Sequence, residues 1–214
     1  MRRRTVIVAL LLYLSAACLC RPALARPAPN RLVENIQTSI QCCNLAEFEK
    51  YVSIDALVDN SLDTLMRHLQ SASLNSKDLP PALAVMAMAA TSSNDSTLRT
   101  VLRSELGALI RYGVSSGLLN GQQKTVAEPK GLLAPFLEKL STGQKILRPA
   151  GKLKRDTSMP GTWLVPAEIY DVEGKSRYPF TLHAVAAGSG WQVDRIADMD
   201  ALLNILEQRS GLKR

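Results

Sequence analysis

Histidine is almost missing from the chain: 214 residues hold two, His68 and His183. Neither stands at a ligand spacing from a second donor, so no metal centre is expected. Four cysteines are too few for a disulfide scaffold. Aromatic residues make up 5% of the chain, and no repeat or low-complexity run is visible. Phosphate-binding signatures are absent as well. Gly188-x-Gly190 lacks a third glycine and does not open a helix, so it reads as a turn and not a dinucleotide fingerprint. No P-loop occurs, and no cofactor is expected. The longest apolar run, from about Val6 to Cys20, falls short of the roughly 20 residues that span a bilayer.

What is present describes a globular chain. Hydrophobic residues make up 46% and charged residues 21%, enough to bury the core of one domain. The formal charge of +7 would ordinarily raise nucleic acid or an acidic membrane as a partner. The leader changes that reading. Arg2, Arg3 and Arg4 precede the apolar run, and Ala23-Leu24-Ala25 supplies the small-x-small pattern of a signal-peptidase site. Residues 1–25 therefore read as a signal peptide and 26–214 as a single exported, periplasmic domain. Lipid attachment at Cys18 is not expected, because Leu14 lies one residue too far from it. The leader holds four arginines and no acid. Removing those four from the 26 basic residues leaves 22 against 19 acids, a net of +3. Nucleic acid is then not an expected partner.

Past the leader, periodicity divides the chain. Leu32, Ile36, Ile40 and Cys43 recur at helical spacing behind Asn30 as the expected N-cap, and Asn44 caps a further turn, Leu45–Tyr51. Val58, Leu62, Leu65, Met66 and Leu69 form the stripe of a helix ending near Ser73, with Asn60, Asp63, Thr64 and Arg67 on its polar face. Asp78 with Pro80-Pro81 opens another helix over Ala82–Ala90. Leu98, Val101, Leu102, Leu106 and Leu109 mark the next, and Gly131–Leu140 a short one. From Gln144 the period becomes two: Trp163, Val165, Ala167 and Ile169 alternate, as do Tyr178, Phe180, Leu182, Ala184 and Ala186. Glu173-Gly174 and Gly188-Ser189-Gly190 read as hairpin turns. Pro166 and Pro179 favour edge positions or strand starts. A helix over about 199–208 closes the chain. The expected class is α+β: N-terminal helices (about 30–140) packed on a three- to four-stranded C-terminal antiparallel sheet (about 144–197).

Few residues ask for chemistry. Cys42-Cys43 is the most unusual pair. It reads either as free thiols, with Cys43 packed on the apolar face of its helix, or as a vicinal or intermolecular disulfide. A metal there would need two more ligands. Gly113-Val114-Ser115-Ser116-Gly117 spells a nucleophile elbow, with Asp156 or Asp171 and then His183 in hydrolase order. The residues before Gly113 read as helix, where an elbow needs a strand. The basic run Lys145, Arg148, Lys152, Lys154 and Arg155 reads as a solvated strand edge, or else as a surface for phospholipid headgroups.

Two stretches resemble a known family. Ala46–Asp55, running into Leu57 and Leu62, resembles the opening of a family of uncharacterised exported bacterial proteins. Tyr178-Pro179-Phe180-Thr181-Leu182, Gly190-Trp191-Gln192-Val193 and Ile196 resemble its closing hairpin. The order of helices and strands is similar to the cystatin-like, nuclear-transport-factor-2-like cone, and the Ser92–Gly121 stretch is longer than that pattern requires. The resemblance implies a fold and no particular activity. Helices over a curved sheet can enclose an apolar pocket, so the expected function is a non-enzymatic envelope protein binding a small apolar ligand or a protein partner, with Trp163, Tyr178, Phe180 and Trp191 lining the site or filling the core. The alternatives are an enzyme with a cone-shaped pocket, using His183 with Tyr170 or Asp194, and an envelope assembly factor.

Overall fold

A computed structural model of the chain describes residues 26–73, 96–122 and 143–209. The leader with Cys18, the helix signals at Asp78–Ala90 and Gly131–Leu140, and the side chain of His68 lie outside the described residues.

Helix α1 (Leu32–Gln41) buries Leu32, Val33 and Ile36. Its N-cap is Arg31 and not Asn30, with no side-chain cap bond. The segment 26–29 supplies the acceptor instead: the Leu32 N–H donates to the Pro29 carbonyl at 3.2 Å, which satisfies one of the helix's orphan donors. The helix also ends before the cysteine pair. Cys42 is the C-cap and Cys43 adopts a left-handed φ of 52°, so Cys43 does not extend the helical face.

Helix α2 (Leu45–Tyr51) is capped by Asn44, whose Oδ1 accepts from the Glu47 N–H at 3.0 Å. Helix α3 (Ile54–Ser73) buries Val58 and Leu62. Thr64, expected on the polar face, is buried as well, its hydroxyl accepting from Arg67 at 3.0 Å. In α4 (Ser96–Ser115), Val101 is 38% exposed where the apolar stripe was expected to include it. The inward line is Leu102, Leu106, Ile110 and Val114. Those residues recur every four positions, and Val101 lies about a quarter turn away. Arginines of α4 join acids of the preceding helices along this seam: Arg99 with Asp63, Arg103 with Asp59 at 2.7 Å, and Arg111 with both Glu49 (3.0 Å) and Asp55 (3.1 Å).

The strands are β1 (Lys145–Pro149), β2 (Lys154–Arg155), β3 (Trp163–Asp171), β4 (Ser176–Ala187) and β5 (Gly190–Ile196), followed by α5 (Met199–Arg209). All pair antiparallel in the order β1-β3-β4-β5, with β2 also on β3. Both β1 and β2 pair with β3 along the same edge, but their registers differ by two residues, so the four residues 150–153 stand against Val165 and Pro166 and interrupt the edge strand. At the other edge, the chain between α2 and α3 runs beside β5: Val52 forms a parallel bridge with Val193, and Ser53 donates to the Val193 carbonyl.

The class is α+β as expected. Helix α1 lies over β1, α2 and α3 over β5, and α5 over β4, while α4 packs outside α3. Alternation decides the inner face. Val165, Ala167, Phe180, Leu182, Ala184 and Val193 are buried beneath the helices with Phe48, Val52, Ile54 and Val58. Burial of this apolar surface is the main favourable term holding the layers together.

Candidate functional site

The edge strand breaks at a proline. Pro166 lies in β3, an interior strand, paired with Thr181 of β4. A residue's N–H and C=O point to the same side of a strand, and the Pro166 carbonyl accepts from Ala150 on the edge side. Its missing N–H therefore also faces the edge. With no donor there, residues 150–153 leave the ladder between β1 and β2. This is how an interior strand accommodates a residue expected at an edge. Pro179 meets the expectation locally, since β5 pairs only with Leu182–Ala187 of β4.

That break opens a cleft of about 320 Å³ between α1 and the sheet edge. Val33, Pro149, Leu153, Val165 and Pro166 give it apolar walls, and Asn30 and Lys152 are its polar members. Val33 and Val165 belong to the core, so the cleft reaches the inner layer from outside. A Cβ on Gly151 would stand 3.3 Å from the Pro166 ring, so glycine lets the departing chain pass close to it. Of the basic run, Lys152 alone lines this cleft. Arg148 stacks over Tyr170 (4.5 Å) and Arg155 over Trp163 (5.4 Å), while Lys154 and Arg155 form β2 on the solvated edge.

The four aromatics expected at a ligand site share the helix-facing side of the sheet but not one location. Trp163 and Trp191 meet edge to face, with centroids 6.4 Å apart. Trp191 also donates Nε1–H to the Pro27 carbonyl at 2.6 Å and lies under the Arg26 guanidinium. Phe180 is buried in the core, and Tyr178 packs on the core near the β3–β4 turn. None of the four lines the Pro166 cleft.

His183 lies on the opposite face of β4 and is 0% exposed. On β5, Val193 pairs with Ala184 and Arg195 with His183, which leaves Asp194 as the extra residue of a β-bulge. The bulge turns Asp194 toward the ring, and Nδ1 stands 2.6 Å from its Oδ1. Facing an ionised carboxylate, which only accepts, Nδ1 would be the donor of this contact. Asn60 of α3 donates to the Asp194 carbonyl at 3.2 Å and fixes the bulge from the other side. On the second nitrogen, Nε2 is buried without a hydrogen-bond partner, 3.5 Å from Asp156 Oδ2. Both Ser158 donors fall on Asp156 Oδ1, the hydroxyl at 2.6 Å and the backbone N–H at 2.8 Å. These bonds, with a smaller contribution from the imidazole, hold the Asp156 carboxyl below the ordinary carboxylate range.

Tyr170, the other partner considered for His183, is paired with Arg177 near the far end of the hairpin. The Gly113–Gly117 pattern closes α4: Gly117 is left-handed at φ 76°, and the Ser115 hydroxyl donates back to the Arg111 carbonyl at 2.8 Å. Cys42 is exposed and Cys43 half-buried, both as free thiols. Asn120 spans this corner, its amide donating to the Ile40 and Gln41 carbonyls and toward Cys43 Sγ. No group of three or more potential metal ligands occurs among the described residues.

No family model matches the chain, and no curated protein or solved structure does either.

Sequence reasoning named His183, Asp194 and Asp156, though never as one array, and missed the cleft. A partial signal was present in Pro166, a proline inside an alternating strand, which leaves one neighbouring strand without a donor.

Proposed function

We propose that the protein is an exported, non-enzymatic binding module that takes a small apolar ligand bearing one anionic group. The cleft beside Pro166 carries this reading. Its volume matches the lower end of small-molecule sites, roughly 300–1,000 Å³. Apolar walls reaching the core favour a hydrocarbon body, and Lys152 offers a point charge for a carboxylate or phosphate. The sealed position of His183 weighs against an enzyme built on that base, because a general base must come within hydrogen-bond reach of its substrate. The export reading draws support from the first residues after Ala25. Arg26 donates to the Gly188 carbonyl and Pro27 accepts from Trp191, so the chain joins the folded body directly after the expected cleavage point.

Decanoate and decanol are suitable probes, having the same chain and different head charge. Decanoate should raise the melting temperature of the protein. Lys152→Ala should weaken decanoate binding about tenfold while leaving decanol unchanged. A bare-chain mass in native mass spectrometry of the exported protein, with no thermal shift from either probe, would overturn the proposal.

A further inference from the structure

The buried outer-face array has a role separate from any ligand. The ring of His183 stands between two carboxylates that approach different nitrogens, Asp194 at Nδ1 and Asp156 at Nε2. Asp194 is part of the sheet, whereas Asp156 opens the loop between β2 and β3. That loop holds itself together locally: the Asp156 N–H donates to the Thr162 carbonyl at 3.1 Å, and the Thr162 N–H to the Met159 carbonyl at 3.2 Å. Its described ties to the sheet beyond the strand ends are Asp156 on His183 and Arg195 on Met159 Sδ at 2.9 Å.

The strength of the Asp156 tie depends on one proton. With Nδ1–H given to Asp194, a neutral ring presents a lone pair at Nε2 to a carboxylate oxygen, and the contact repels. A second ring proton converts the same contact into a charge-assisted N–H···O approach, the stronger class of hydrogen bond. The Nε2 atom has no other partner and no water-exposed surface, so nothing else answers the change. Four charged groups face the ring or share its row: Asp156 from the loop, Asp194 and Arg195 from β5, and Lys154 from β2, which pairs with Leu164 beside His183. Arg195 is turned onto Met159, and Leu164 of β3 is apolar.

We infer that His183 is a proton-operated latch, which binds the Asp156–Thr162 loop to the sheet when the ring carries two protons and releases it when one is lost. The sign follows from the groups involved. The latch needs an ionised Asp156, which the Ser158 bonds preserve into mildly acidic solution, and a doubly protonated ring. It is therefore closed on the acidic side of the ring's titration and opens as the pH rises through it. Below the folded-state value of Asp156 it is lost again. Since Asp156 follows β2 directly, release also loosens the segment that forms one wall of the Pro166 cleft.

Hydrogen exchange tests this, read by nuclear magnetic resonance on the purified protein from about pH 5 to pH 8, the range in which imidazoles titrate. Rates are expressed as protection factors, so that the intrinsic pH dependence of exchange cancels. As the His183 ring signal reports loss of the second proton, protection of the Asp156, Ser158 and Thr162 amides should fall about tenfold. Protection at Val193 should stay constant. Asp156→Asn should make loop protection independent of pH, and His68→Gln should leave the coupling intact. Loop protection that is flat across the His183 titration would overturn the latch, as would a ring that does not titrate in this range or an unchanged pH dependence in Asp156→Asn. Should Asp156→Asn fail to fold, the natural protein decides alone: coincident midpoints for ring and loop support the latch, and separate midpoints refute it.

Discussion

The two faces of the sheet bury side chains by different means. Beneath the helices, Val165, Ala167, Phe180, Leu182, Ala184 and Val193 are buried because alternation sends every second residue inward and four helices cover them. On the outer face, His183 is buried beside a short loop and a bulge, with no apolar layer over it among the described residues. The inner face is held by area and shape and the outer by hydrogen bonds to charged groups. Their responses to substitution should therefore differ in kind as well as size.

The largest loss belongs to the inner face. Phe180→Ala removes a buried ring from the centre of the core, and such truncations cost about 3–5 kcal/mol. Denaturant unfolding should show this loss as a lowered midpoint at every pH, because the ring is uncharged and belongs to an apolar cluster. On the outer face, His183→Leu keeps the volume roughly while leaving Asp194 without its donor. A part-buried acceptor without a partner costs about 2 kcal/mol. This loss should vary with pH, because the contact it removes joins two ionisable groups. A loss from His183→Leu as large and as pH-independent as that from Phe180→Ala would erase the distinction between the faces.

The difference also explains what could be read from the chain. The inner face was legible because period-two alternation in Trp163–Ile169 and Tyr178–Ala186 is a property of consecutive residues. The end of α4 was legible only in part: Asn120-Gly121 reads as the stop and Gly117 as a weakening, whereas the helix ends at Ser115 before the left-handed Gly117. The outer array was not, because it depends on a bulge at Asp194. In sequence, Gly190–Ile196 looks like an unbroken strand, and one extra residue decides whether Asp194 or Arg195 stands beside His183. The cleft depends on which side of β3 carries the missing N–H of Pro166, a fact fixed by strand order and not by local composition. Cys43 was misplaced for a third reason. Its helix stops at Gln41 because Asn120, about eighty residues away, takes up the last carbonyls through hydrogen bonds that no local pattern announces.

A smaller effect sharpens the contrast by testing a polar group on the helical side. Asn44 accepts from the Glu47 N–H and is exposed. Its bond holds the end of a helix, and water can replace it. Asn44→Ala should thus cost about 1 kcal/mol, roughly half the expected effect of His183→Leu. Asn44→Asp should recover the loss, since a carboxylate accepts the same bond and is favoured at a helix N-terminus. The recovery should fade as the pH falls through the carboxylate range, whereas Asn44→Ala should be insensitive to pH. Thermal unfolding of the two variants at neutral pH and near pH 3 measures both differences. If Asn44→Ala proved as costly as His183→Leu, polar contacts would matter equally on both sides of the sheet, and the apolar layer would not be what makes the helical side tolerant.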